Sequence, residues 1–296
     1  MNAPKIAFIG FGEAGPAIAA GLHKAGVVDI SAFDILQLDP NRREEITARA
    51  AASGTALAES HAAAVAGRDV VISTVTCTDA VDAAKAVAAH LQAGQVYLDV
   101  NSVSPVTKAK VHEAIRASGA DFVEASIMSP IYPKRHASPM LLSGPAAPAL
   151  IDLLGPFGMN LEDMGPEYGR AAATKMFRSI VFKGMEAILQ ECVVAADRYG
   201  VAEKVLASIG ANYPELDWEK LASYFVGRSV MHGVRRAHEM EEVAETLRDI
   251  GIEPFMADGA AKRIAWLGTR GLKDALDGEE PEHFRDVLDK LKETPG

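Results

Sequence analysis

Six residues near the start of the chain, Gly10-Phe11-Gly12-Glu13-Ala14-Gly15, have the types and spacing to hold an anion. They follow an apolar run that includes Ile6 to Ile9 and precede an Ala-rich helical run from Pro16 to Lys24. In a strand–turn–helix of this kind the first glycine permits the tight turn. The second lets the backbone approach a pyrophosphate, and the third lets the helix pack on the strand. The open N–H groups and positive dipole end of the helix then face the phosphates. A second apolar run, Ile30-Ser31-Ala32-Phe33-Asp34, ends in an acid about twenty residues after the last glycine, the spacing of a carboxylate that binds ribose hydroxyls. Gly10, Phe11, Gly12, Glu13, Ala14, Gly15 and Asp34 are thus expected to bind a dinucleotide, NAD in preference to NADP, because the acid repels a 2′-phosphate. Arg42 and Arg43, some residues beyond, would blunt that discrimination, so NADP stays open.

The second group lies on a long helical segment. Lys175 follows Gly169 and a small-residue turn, Ala171-Ala172-Ala173-Thr174, which lets other parts of the chain come close. Positions 175, 178, 179, 182 and 186 share one helix face by i, i+3/i+4 spacing. That face reads Lys, Arg, Ser, Phe, Glu, too polar for simple core packing. Residue types alone leave open both a face that carries chemistry and a solvated one.

The elements that must position these groups are legible in the hydrophobic pattern. From Met1 to about Met164, short apolar runs alternate with helical segments, which predicts parallel βαβ construction. Strands are expected at Asp69–Val75, Val96–Val100, Asp121–Ala125, Met140–Ser143 and Met159–Asp163, with helices at 41–52, 79–91, 105–118 and 146–154. In such sheets ligands bind at the carboxyl ends of the strands. That places the turn bearing Thr74 and Val75, the turn bearing Asn101, Ser102 and Ser104, and the loop from Ser126 to His136 around the cofactor. From Gly165 the alternation stops. Arg170 to Tyr199 reads as one helix without internal proline, stopped by Gly200, and only helical patterns follow: 202–211, 218–226, 234–250 and 256–267, then a charged surface helix over 279–292. Trp218, Tyr224, Phe225 and Trp266 are expected in the core of this part. The predicted fold is α/β: a Rossmann-type parallel sheet domain at 1–164, then an all-α domain at 165–296 joined by a long helix.

A net charge of −10 over 296 residues argues against nucleic-acid or anionic-membrane partners. Cys77 and Cys192 offer no disulfide framework and no metal-ligand spacing, and both read as buried thiols. His232 and His238 lack metal-ligand partners at sensible spacing and read as capping or surface residues, so no metal is expected. No secretory leader and no bilayer-spanning apolar run are seen, which points to the cytoplasm. Hydrolase and phosphotransfer motifs are missing.

Four stretches, in order, resemble the β-hydroxyacid dehydrogenase family, which includes 3-hydroxyisobutyrate and 6-phosphogluconate dehydrogenases. The loop GFGEAG resembles the family's dinucleotide loop. Asp99-Val100-Asn101-Ser102-Val103-Ser104-Pro105 resembles its D-x-S-T turn near nicotinamide and substrate. Phe122 to Pro130, FVEASIMSP, resembles its D-A-P-V-S-G-G substrate loop, and Gly169-x5-Lys175 the segment bearing its catalytic lysine. The chain departs from the pattern at Met128, at Ser129-Pro130 in place of Gly-Gly, at Ser179 where the family commonly has Asn, and at Phe182 where phosphogluconate dehydrogenases carry a glutamate. Decarboxylation of 6-phosphogluconate is therefore not expected. The segment around Met231-His232-Gly233 looks like a short helical domain of poorly characterised bacterial relatives.

The resemblance implies an NAD(P)-dependent dehydrogenase of a small 3-hydroxy acid, with Lys175 as general acid/base. Such a lysine needs its pKa lowered from about 10.4 toward roughly 7–8, which burial and the like-charged Arg178 would favour. Ser102, Ser126, Ser129, Arg178 and Ser179 are the expected substrate contacts, with Arg178 able to grip a carboxylate as a fork. Tyr132, Lys134, Arg135 and His136 either set specificity or are solvated, and Arg235 and Arg236 either reach substrate or pair with Glu239, Glu241 and Glu242 at the surface. An imine reductase, whose sequences usually lack the lysine, and a dinucleotide-binding protein without turnover are the competing readings. Apolar residues on several faces of the long helix predict a homodimer or larger assembly.

Overall fold

The computed structural model describes residues 3–293. It divides into two compact units, Met1–Lys175 and Met176–Gly296. The first unit contains, in chain order, β1 (Ile6–Ile9), α1 (Ala14–Lys24), β2 (Ile30–Phe33), α2 (Arg43–Ser53), β3 (Ala56–Leu57), α3 (His61–Val65), β4 (Val70–Ser73), α4 (Ala80–Ala88), β5 (Val96–Asp99), α5 (Pro105–Arg116), β6 (Asp121–Ile127), β7 (Met140–Ser143), α6 (Ala147–Leu154) and β8 (Leu161–Asp163). All eight strands form one sheet in the order β3-β2-β1-β4-β5-β6-β7-β8. Every pairing from β3 across to β6 is parallel, as the alternating pattern predicts. β7 then runs antiparallel to β6, and β8 parallel to β7. The reversal follows from the connection: Met128–Pro139 contains only a short 3-10 turn at Arg135–Ala137, and a parallel return needs a longer crossover, usually a helix.

The central strands are apolar throughout because both faces are covered. On one face Ile6, Phe8, Val70, Ile72 and Leu98 pack with Ile18 and Leu22 of α1 and Leu150 and Leu154 of α6. On the other, Ala7, Ile9, Val71 and Tyr97 pack with Val65, Val87, Val111 and Ile115 from the helices α3 to α5. Alternate residues of one strand thus serve two cores, the condition that removes polar alternation from the sequence.

α7 (Arg170–Asp197) runs through the division between the units. The first turn of this helix is tied to the sheet by Glu124 and Ser143, so the first unit runs on to Lys175. The second unit continues with α8 (Ala202–Asn212), α9 (Trp218–Asp249), α10 (Phe255–Gly268), α11 (Leu272–Ala275) and α12 (Phe284–Glu293). The two helices expected at 218–226 and 234–250 are one. Gly227 and Gly233 suggest a break in the sequence, yet Gly233 is a contact point: a Cβ there would lie 2.6 Å from Cα of Gly268 on α10.

Leu189, Val193, Leu206, Phe225, Val230, Leu267 and Phe284 form the main core of this unit. Trp218 and Trp266 border it, whereas Tyr224, expected inside, is exposed. Neighbouring helix positions point about 100° apart, so Phe225 and Tyr224 cannot both face inward. The tail helix is not wholly a surface element, since Phe284, Val287 and Leu288 of α12 are buried. Between α7 and α9 lies a polar layer. The fully buried Glu186 accepts from Arg236 Nε at 3.0 and 3.1 Å, and from the Ser229 hydroxyl. Lys183 Nζ sits 2.8 Å from Glu239. Arg236 therefore turns inward instead of pairing at the surface; Arg235 does pair there, with Glu239 at 2.5 Å. Glu186, at the end of the polar face read from sequence, is thus a buried ion-pair partner. Among the described residues no helix is long and apolar enough to cross a membrane.

Candidate active site at the carboxyl ends of the parallel strands

The glycine loop leaves β1 and enters α1. Gly10 has φ +84°, a left-handed conformation that side chains resist, and a Cβ on it would meet Thr74 O at 2.7 Å and Val75 Cγ1 at 2.6 Å. Gly15 is crowded too, without a left-handed backbone, with Thr74 Oγ1 2.8 Å from where its Cβ would be. Thr74 closes the loop by donating its hydroxyl to Gly10 O at 2.6 Å. Gly12 differs: a Cβ there would meet nothing within 4 Å among the described residues. Packing does not require glycine at that position, and a phosphate approaching the backbone would. No side chain caps α1, whose first turn keeps its N–H groups available to an anion. Asp34, buried just beyond β2, accepts the Phe11 N–H at 2.6 Å on one oxygen and the Leu36 N–H at 2.8 Å on the other. The acid is thereby held at the mouth of the loop with lone pairs left for ribose hydroxyls. These residues fit a nicotinamide dinucleotide.

Two strands along, Asn101 ties the next turns together. Its Oδ1 accepts the Val75 N–H at 2.8 Å, and its Nδ2 donates to Ser73 Oγ at 2.9 Å. Ser102, next in the chain, is exposed and accepts a hydrogen bond from Lys175 Nζ at 2.7 Å. The lysine and the serine, read separately from sequence, are thus brought together. What delivers Lys175 is Glu124, fully buried on β6. Its carboxylate accepts from the N–H groups of Gly169 (2.8 Å), Ala171 (3.0 Å) and Ala172 (3.3 Å), while Ser143 Oγ of β7 also accepts from Ala171 at 3.0 Å. A carboxylate at the orphan N–H groups of a helix start is both a cap and a dipole partner. Lys175 follows about one turn later. Sequence reasoning takes Glu124 only as part of a motif and passes over Ser143; the signal is a charged residue inside the otherwise apolar run Phe122-Val123-Glu124-Ala125.

The other expected contacts are less uniform. Ser126 is buried in β6, opposite Leu141 of β7. Ser129 is partly exposed on the loop that follows, its hydroxyl 3.2 Å from Pro130 O. Arg178 and Ser179 belong to the second unit, where Arg178 lies 4.8 Å from the centre of the Phe182 ring. Within the loop beyond β6, Tyr132, Lys134 and Arg135 are exposed. His136 is half-buried: its ring occupies the space where Gly21 of α1 would carry a Cβ, and burial pushes its imidazole below the ordinary range. Cys77, expected to be buried, is exposed, because β4 ends at Ser73 and the cysteine falls on the 3-10 turn beyond it.

Residues 5–147 match the family described as the NAD binding domain of 6-phosphogluconate dehydrogenase, and residues 196–267 match a domain of unknown function, DUF1932. A conserved hypothetical protein from Sinorhizobium meliloti 1021 is 36% identical, over 97% of this chain and 95% of that one, with a TM-score of 0.85. The conserved protein MTH1747, whose structure was reported as similar to 3-hydroxyacid dehydrogenases, is 31% identical over 93% of this chain and 99% of its own, with a TM-score of 0.76. The NAD-dependent L-serine dehydrogenase of Pseudomonas aeruginosa is 27% identical over 69% of this chain and 68% of its own length. A glycine loop with an acid fixed at its mouth, a lysine set beside a strand-end serine, and relatives of this kind lead to one conclusion: the chain belongs to the 3-hydroxyacid dehydrogenase family of NAD(P)-dependent oxidoreductases acting on CH–OH groups.

Proposed function

We propose that this enzyme oxidises a small 3-hydroxy acid in the cytoplasm, or reduces the matching 3-oxo acid, with Lys175 as the general acid/base. The observation that carries this reading is the 2.7 Å hydrogen bond from Lys175 Nζ to Ser102 Oγ at the end of β5, in the same row of strand ends as the glycine loop. The relative named for L-serine acts on a 3-hydroxy acid by that name, which supports the substrate class. The bound dinucleotide supplies the hydride acceptor. Lys175 takes the hydroxyl proton of the substrate as its carbinol carbon is oxidised and returns it in the reverse direction, where its ammonium also steadies alkoxide charge. Ser102 orients the amine and shares the substrate oxygen. Ser129, Arg178 and Ser179 are assigned to the acid group of the substrate; Ser126, being buried, acts by shaping the start of the loop. A screen of 3-hydroxy acids with NAD, following absorbance of the reduced nicotinamide, tests the class. Turnover confined to other alcohols or to imines would overturn it.

NAD is expected to be preferred over NADP. Asp34 is fixed by two backbone N–H groups, and the nearby arginines are engaged: Arg42 with Glu45 at 2.8 Å, Arg43 with Gln37 O at 3.0 Å. A 2′-phosphate would meet a held carboxylate before a guanidinium. The kcat/KM for NAD should exceed that for NADP by at least about tenfold, or ~1.4 kcal/mol; a higher value for NADP would sink the assignment.

A homodimer is also expected. Val181, Phe182 and Ile188 of α7 and Met256 of α10 are exposed, and Ile188 and Met256 line a groove of about 480 Å³ with Gly184, Ala187, Cys192 and Gly259. Exposed apolar residues of this kind on two helices suit a second copy of the chain. Sedimentation at micromolar concentration should give a dimer or larger, and Ile188→Glu should shift it toward monomer. A monomeric unsubstituted protein would end this reading.

A further inference from the structure

A buried ion pair beneath the Ser102 turn is unused by the proposed chemistry. Lys108, on α5, is fully buried, and so is Asp99 at the end of β5. The Lys108 ammonium donates to Asp99 O at 2.8 Å and to Ala125 O of β6 at 3.3 Å, and lies 3.1 Å from Asp99 Oδ2. Two of its N–H groups thus meet main-chain carbonyls on adjacent strands, and Asp99 Oδ2 faces the ammonium as an ion-pair partner with no hydrogen bond of its own among the described residues. The other carboxylate oxygen of Asp99 accepts the N–H of Asn101 at 3.0 Å, and Asn101 in turn holds the Val75 N–H. The pair sits directly under the turn that carries Ser102. Lys108 shares the buried face of α5 with Val111 and Ile115, at i, i+3 and i+7, a place where a lysine is not kept for solubility. A buried pair of this kind gives little net stability compared with apolar residues of the same size, so stability alone does not account for it.

We infer that Lys108 is a positioning residue: its ammonium clamps the ends of β5 and β6 so that the Asn101–Ser102 turn presents Ser102 Oγ to Lys175. The clamp acts through Ser102 and touches neither cofactor nor substrate. It joins the strand that carries the serine to the strand that carries Glu124, the cap that delivers the lysine. The inference rests on the proposed role of Lys175 only for its effect on rate; the geometry it predicts for the turn stands without it.

The test compares Lys108→Met, the double variant Asp99→Asn/Lys108→Met, and the exposed control Lys110→Ala. Lys108→Met strands a buried carboxylate and risks misfolding. The double variant removes both charges, while the amide oxygen introduced at position 99 can still accept the Asn101 N–H. Amide hydrogen exchange, read by peptide mass spectrometry, should quicken about tenfold or more over residues 100–104 in the double variant, with β1 and α1 unchanged. NADH affinity, followed by its fluorescence, should stay within about threefold, while kcat with L-serine or 3-hydroxyisobutyrate falls about 10²-fold, the scale of a misplaced reacting group. Exchange over 100–104 equal to that of the unsubstituted protein overturns the inference. So does a uniform rise in exchange across the sheet with parallel loss of NADH binding, the behaviour of a lysine that serves stability alone. Lys175→Ala is assayed beside them. If it keeps its turnover, the acid/base reading fails by itself, and the exchange measurement still decides on Lys108.

Discussion

Lys175→Ala is expected to lower kcat by about 10²- to 10⁴-fold, the range for loss of a positioned proton-transfer group. Dinucleotide affinity should barely change, because the glycine loop and Asp34 make that site. The lysine is anchored from two sides: its amine reaches Ser102 Oγ at 2.7 Å, and the helix start that carries it is held by three N–H bonds to Glu124. Lys175→Arg should lose nearly as much. Guanidinium keeps the positive charge and the hydrogen bonds but does not give up its proton near neutral pH. A lysine present only for structure would behave otherwise, with arginine tolerated and alanine lowering Tm more than rate. Measuring kcat, NADH affinity and Tm on both variants separates the two cases. An arginine variant that keeps most of its turnover would end the acid/base assignment, whichever hydroxy acid is used.

The second large effect should come from the glycine loop, and its form is a contrast between two glycines. Gly10→Ala forces a Cβ to within 2.7 Å of Thr74 O and 2.6 Å of Val75 Cγ1 at a φ of +84°. Left-handed backbone alone costs a non-glycine residue about 1–2 kcal/mol. The clash with the end of β4 adds to it, so this variant should lose both stability and NADH binding. Gly12→Ala meets no atom within 4 Å among the described residues and should fold with an unchanged Tm. Its methyl group nonetheless occupies the approach of the pyrophosphate. NADH affinity should fall about ten- to a hundredfold, or ~1.4–2.8 kcal/mol. Calorimetry and fluorescence titration on the pair make the comparison. A Gly12→Ala protein that binds NADH normally would remove the pyrophosphate from that loop.

What can be read from sequence is whatever depends on neighbours along the chain. Strand, glycine turn and helix are local, and so is the spacing from Gly15 to Asp34. Continuous apolar runs announce strands covered on both faces, and the end of alternation after Met164 announces a helical second part. Gly233 suggests a break for the same reason: its partner, Gly268, lies far away in sequence, and only the crossing of α9 and α10 explains it. Arg236 and Glu186 likewise stay open between the site and the surface in the sequence, and only with α7 and α9 side by side do they become a buried pair. The deepest difference concerns the site itself. The chain order shows a lysine, a serine and an acid inside a strand, separated by up to 73 positions. It does not show that Glu124 turns its carboxylate to the first N–H groups of α7, or that Lys108 lies beneath the serine. A buried charge is tolerated only where its partners converge from several strands, and that convergence is a property of the sheet order, β5 beside β6 beside β7. Sequence alone determined which groups could do chemistry; the sheet decided which of them meet.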